Sequence, residues 1–151
     1  MPTLSLSTYY RITRASALFD IFFTAAFATP WTFTLFYEQL SNINVWMGGE
    51  PLPPFALVHV LITCLMGTLV MLWSFTRLGE PTLALGRYDG AGRFLFAAWM
   101  TWALLQGGLP LVWLFLIPEL FWGVAQWLPV EGAPRPQPVQ KPALTLVRVS
   151  R

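Results

Sequence analysis

Four long apolar stretches, separated by short polar or turn-rich segments, dominate the pattern along this chain. They cover about 15–40, 54–76, 85–107 and 109–129, and each is close to the roughly 20 helical residues needed to cross about 30 Å of hydrocarbon. Thr29-Pro30 interrupts the first stretch, where the missing backbone donor predicts a kink. The segment 41–53 is dense in turn formers, with Asn42, Asn44, Gly48, Gly49, Pro51 and Pro53. The third stretch is expected to start near Leu85, carrying Arg87, Asp89 and Arg93 in its first turns. Gly107-Gly108 followed by Pro110 leaves so short a link that the third and fourth helices should be antiparallel neighbours. Beyond 130 the pattern ends in a Pro-rich polar tail, 131–151, which is expected to be disordered. The expected fold class is therefore all-α, an integral membrane four-helix bundle.

Composition agrees with lipid as solvent. Hydrophobic residues make up 56% of the chain and charged residues 11%, well outside the soluble balance. Charge then adds orientation. Counting four crossings from an interior N-terminus, Arg11, Arg14, Arg77, Arg87, Arg93, Arg135, Lys141, Arg148 and Arg151 all fall on one side. Basic residues flanking short loops stay cytoplasmic, so the expected topology is N-in and C-in, in a bacterial inner membrane. The net charge of +2 reflects that topology and attraction to anionic lipid, and implies no nucleic-acid partner. The first apolar run is too long for a cleavable signal and is expected to remain.

Several classes of chemistry are excluded. One cysteine, Cys64, forbids an intramolecular disulfide, and one histidine with one cysteine cannot build a zinc site or a bis-His haem. No phosphate-binding Gly-rich loop and no Gly-x-Ser-x-Gly elbow is present. No metal or cofactor is expected, and an enzymatic role is the less favoured one. Four spans are also too few for inverted repeats, so a carrier would have to be an oligomer.

Polar residues inside apolar stretches are costly, and each is a candidate site. Asp20, His59, Arg93 and Glu119 qualify. At 1.5 Å per residue, Glu119 is expected roughly 14 Å from the cytoplasmic end of its helix, and Asp20 and Arg93 roughly 8 Å from theirs. A cluster of Asp20, Arg93 and Glu119 follows, with Asp89 one turn from Arg93 as a competing partner. His59 is expected apart from it, near the outer surface. Small and polar residues recur at helical spacing in His59, Thr63, Gly67, Val70 and Ser74 and in Asp20, Thr24 and Ala28, and such stripes suit helix contacts in lipid. Glu119 and Gln126 share a face of the fourth helix with Trp122 flanking. Trp122 joins Asp20, Arg93, Glu119 and His59 as a candidate for a ligand-binding or buried polar network. Of the eight tryptophans, Trp31, Trp46, Trp73, Trp113 and Trp127 are expected at interfaces, and Trp99, Trp102 and Trp122 in the core.

With Leu18-Phe-Asp-Ile-Phe-Phe-Thr-Ala-Ala-Phe-Ala-Thr-Pro30 and Gly86-Arg-Tyr-Asp-Gly-Ala-Gly-Arg93 in view, the four spans resemble the small membrane proteins grouped around the DoxX and BphX families. That resemblance implies an accessory role beside oxidoreductases or aromatic-degradation enzymes and assigns no residue a role. A second, weaker resemblance is to the sterol-isomerase-like four-helix fold, which implies intramembrane acids around a lipophilic cavity. Three functions follow as expectations. The first is an accessory or structural subunit that packs in a homo-oligomer or a larger membrane complex. The second is a site for a lipophilic molecule (quinone, sterol-like or aromatic), or an isomerase-like enzyme, using Glu119. The third is an oligomeric proton-coupled carrier.

Overall fold

A computed structural model describes residues 3–132, and in that range the chain is helical apart from loops and one short backbone bridge. The tail beyond 132, including most of the segment expected to be disordered, lies outside the described residues. The five α-helices are α1 (Leu6–Thr24), α2 (Pro30–Trp46), α3 (Leu57–Gly79), α4 (Leu83–Leu105) and α5 (Trp113–Trp127). Single 3-10 turns at Ala25–Phe27 and Pro110–Val112 precede α2 and α5.

The first apolar stretch departs from the expected kinked span. It forms two helices bent by 98°. Thr29, in extended conformation, caps α2 by accepting from the Thr32 amide at 3.2 Å, and Pro30 occupies the first helical turn. Proline pre-sets the dihedral of a helix start and lacks only a donor that would be unpaired there anyway. Pro30 therefore begins a new helix instead of kinking an old one. At the other end α1 starts at Leu6, nine residues before the apolar run, with Ser5 accepting from the Thr8 amide as its cap. The early start carries a polar stripe into the interior: Tyr9, Thr13, Ser16 and Asp20 are all buried.

Helix α3, the segment Pro110–Trp127 that ends in α5, and the bent pair of α1 and α2 taken as one unit are long and apolar enough to cross a membrane, whereas α4, expected as a span, is not among them. On α3, Leu57, Val58, Leu61, Leu65, Leu69 and Leu72 are all exposed. An apolar face of that length is unusual for a protein surface in water and natural against lipid. Trp99 and Trp102, expected in the core, are exposed on the outer face of α4.

Packing is concentrated in two pairs, α4 with α5 and α1 with α3. The α4–α5 pair is antiparallel, since Gly90 lies against Trp127 while Gly123 lies against Phe94 and Arg93. Gly67 of α3 lies so close to α1's end that a Cβ there would meet the Phe27 carbonyl oxygen at 2.6 Å. By contrast α3 and α4, although consecutive in sequence, barely touch along their lengths. The short helix α2 packs on α3 and on the 3-10 turn at Pro110–Val112. Asn44, fully buried at its end, accepts from the Leu111 amide at 3.1 Å and donates to the Glu50 carbonyl at 2.7 Å.

The two ends of the described chain meet at the opposite pole. Leu4 and Val130 form a parallel bridge, and the Thr3 hydroxyl donates to Glu131 at 2.7 Å. Beside them Arg87 donates to the carbonyls of Gln126 and Leu128, both at 2.9 Å, capping the last turn of α5. Its guanidinium also lies 5.5 Å from the Tyr9 ring centre and 5.4 Å from that of Trp127. Cations near a helix C-terminus meet its unpaired carbonyls, so Arg87 has a structural task as well as a place in the charge pattern.

Candidate functional site: a buried ionic network beneath a side groove

The interior of the bundle is polar at one level. Asp20 from α1, Arg77 from α3, Asp89 and Arg93 from α4, and Glu119 from α5 form a continuous network. Counted from the observed helix ends, Asp20 lies about 21 Å from the start of α1, Arg93 about 15 Å from the start of α4, and Glu119 about 12 Å from the end of α5. The earlier start of α1 thus moves Asp20 deeper than its place in the apolar run implies.

Two arginines hold the network together. Arg93 Nη2 donates to Asp20 Oδ2 at 2.5 Å, its Nη1 to Glu119 Oε2 at 3.2 Å, and its Nε to Asp89 Oδ2 at 3.0 Å. Arg77 Nη2 donates to the same Asp20 Oδ2 at 2.5 Å and to Ser74 Oγ at 2.9 Å. Its Nη1 pairs with Asp89 Oδ2 and reaches Ser16 Oγ. Asp89 is saturated further, by Trp73 Nε1 on Oδ1 at 2.8 Å and by Gln126 Nε2 on Oδ2 at 2.7 Å. Ionised groups remain tolerable in a low-dielectric interior only with such multiple, charge-assisted partners. Among the described residues two buried atoms, Arg77 Nε and Gln126 Oε1, find no partner.

Arg93 thus contacts Asp20 and Glu119 directly and links the two, with Asp89 as its further partner. Sequence reasoning passed over Arg77, which stands at the end of α3 beside Gly79 and Pro81 and was assigned to topology alone; it is completely buried. Ser16, Ser74, Trp73 and Gln126 were likewise not singled out as site residues. A signal existed in their spacing, because Tyr9, Thr13, Ser16 and Asp20 recur at helical intervals on one face, as do Ser74 and Arg77. His59 takes no part in the network. It is exposed near the start of α3, with its ring edge-on to Phe55 at 5.7 Å. Trp122 is half-buried and packs on Phe121 and Phe19, at ring separations of 5.0 and 6.0 Å, outside the cavities.

The gap between α3 and α4 opens over this network as a cavity of about 420 Å³. Met66, Leu69 and Val70 form one wall, Phe96 and Gly92 the other, and Trp73 and Tyr88 stand at one end. Asp20, Asp89, Arg93 and Glu119 form the floor. At that end Trp73 and Arg77 reach across to Asp89 and close the gap. A smaller cavity of about 100 Å³ adjoins the opposite side of Asp20, Thr24 and Glu119, lined by Phe19, Phe23, Phe27, Phe115 and Pro118. Apolar walls with a few convergent polar groups and a volume of several hundred Å³ are the usual form of a small-molecule site. Among the described residues no group of side chains could hold a metal ion.

No family model, no curated protein and no solved structure matches this chain. The resemblances drawn from size and topology therefore assign no residue a role, and the chemistry of the site is argued from its own side chains.

Proposed function

We propose that the protein is a four-span membrane protein that binds a lipophilic small molecule in the groove between α3 and α4. In this reading α1, α3, α4 and α5 cross a bacterial inner membrane, with both ends cytoplasmic. The Lys and Arg distribution and the pairing of Leu4 with Val130 at one pole support that orientation. The charges of α4 do not oppose a crossing, because Asp89 and Arg93 are turned inward and paired.

One observation carries the proposal: a cavity of about 420 Å³ has apolar walls and a charged floor, and lies between two helices that leave each other unpacked. A network serving only to fix helix register would be most stable with its helices closed over it. Here one oxygen of Asp20 and one of Glu119 take no partner among the described residues, and both residues line the cavity. The ligand's body would lie among Met66, Leu69, Val70 and Phe96, and its polar end on Glu119 and Asp20.

Gly92 offers a direct test. It lines the cavity, and a Cβ there would meet nothing within 4 Å. Gly92→Phe should fill the groove without disturbing the network or the fold. Purified in mild detergent, the native protein should carry a small lipophile detectable by mass spectrometry, and the variant should lose it at unchanged thermal stability. Equal recovery from both would remove the groove reading.

A second reading, a subunit of a homo-oligomer or larger membrane complex, rests on the exposed apolar face of α3. Co-elution of a stoichiometric protein partner from native and Gly92→Phe protein alike would favour it.

A further inference from the structure

We infer that the groove selects lipophilic cations, an ammonium or similar positive centre on an apolar or aromatic body. This rests on the groove reading above and names the ligand class.

The first argument is charge. Three carboxylates, Asp20, Asp89 and Glu119, face two guanidiniums, Arg77 and Arg93. Fully ionised, the network holds one uncompensated negative charge. A buried excess charge is expensive and is answered either by a proton on one carboxylate or by a counter-charge, so a bound cation would take the place of that proton.

The second argument is where the unused hydrogen-bonding capacity points. Asp89 spends both oxygens on partners within the network. Asp20 crowds both arginines onto Oδ2, and Glu119 receives Arg93 on Oε2 alone. Asp20 Oδ1 and Glu119 Oε1 accept nothing among the described residues, although the Asp20 side chain is nine-tenths buried. Both residues line the cavity. The arginines are the more enclosed: the side chain of Arg93 is 4% exposed and that of Arg77 0%, against 18% for Glu119. The floor therefore offers the cavity bare carboxylate oxygens ahead of guanidinium donors.

The third argument is the wall. Trp73, Tyr88 and Phe96 all border the same space. Aromatic faces attract cations through the ring quadrupole, more strongly when water is excluded, and rings beside a carboxylate are the arrangement that holds quaternary ammonium groups. An anion would meet the carboxylates, and a neutral body would leave the excess charge to a proton and gain nothing from the bare oxygens.

The test uses the full chain in nanodiscs of zwitterionic lipid, with a phenylbutyl trimethylammonium probe and its tert-butyl isostere, in which carbon replaces the quaternary nitrogen. Calorimetric titration should show the cation binding at least tenfold more tightly than the isostere. Glu119→Gln should reduce that preference to threefold or less. Tyr88→Leu, which removes a ring outside the ionic network, should reduce it by a smaller factor and guards against misfolding of the Glu119 variant. Equal binding of cation and isostere, both abolished by Gly92→Phe, would overturn cation selectivity while leaving the groove intact. A preference unchanged in Glu119→Gln would overturn the carboxylate's role and with it this inference. Binding of neither probe would overturn the cation site, and native protein without a co-purified lipophile would separately overturn the groove.

Discussion

Arg77 is the residue on which the interior depends most. It is fully buried, touches two carboxylates and two serine hydroxyls, and joins α3 to α1 and α4. Removing one partner of a buried pair leaves the other charge unanswered, at a cost of about 3–5 kcal/mol. Arg77→Met should therefore destabilise the protein by about that amount, with Asp89 and Asp20 both losing a donor. Glu119→Gln should cost much less, because Arg93 keeps Asp20 and Asp89. Thermal unfolding in detergent, followed by circular dichroism, would show the order; a milder effect at Arg77 than at Glu119 would contradict this account. The contrast also explains what could be read from residues alone. A carboxylate in the middle of Leu-Ile-Pro-Glu-Leu-Phe-Trp has nowhere polar to go, so Glu119 announced a buried partner. Arg77 closes an apolar run in the position of an ordinary flanking cation, and its burial follows from where α1 passes, which no local pattern contains.

Helix boundaries show the same division between local and distant causes. Apolar length overlaps α3, α4 and α5, and the Gly107-Gly108 turn and Pro110 mark locally where α4 ends and α5 is about to begin. It located α1 poorly. The polar segment Leu6–Arg14 is helical because Ser5 caps it and Tyr9 and Thr13 find partners on α5 and on α1 itself. Asp20 owes its depth to that extension. Close approach between elements then sets the tolerance of the small positions. Gly67→Ala would force a methyl against the Phe27 backbone, which cannot give way as a flexible side chain can. It should destabilise by about 1–3 kcal/mol, whereas Gly92→Ala, in open space on α4, should be neutral or stabilising by about 1 kcal/mol. Comparing melting temperatures of the two alanine variants tests the assignment, and similar shifts in both would refute the close approach of α3 to the Ala25–Phe27 turn.

For the molecule as a whole, the join of Leu4 to Val130 brings the two ends of the described residues to one pole, and α2 folds across the other. The proposed four-span arrangement predicts that single cysteines at Thr3 and at Glu131, in a Cys64→Ser background, react with an impermeant thiol reagent in inverted vesicles and resist it in intact cells. A cysteine at Asn42 should do the reverse. Labelling of Thr3 and Glu131 from opposite sides would exclude the four-span arrangement.

The right-angle break before Pro30 bears on how the proposed ligand would reach the groove. With α2 laid over the pole where α3 and α5 begin, and Trp73, Arg77 and Asp89 closing the other end of the gap, the groove opens sideways. A guest would come from the bilayer and not from water, so the concentration that governs occupancy is its concentration in the lipid. Two compounds with equal affinity for the groove would then fill it unequally, in proportion to how strongly each partitions into the membrane.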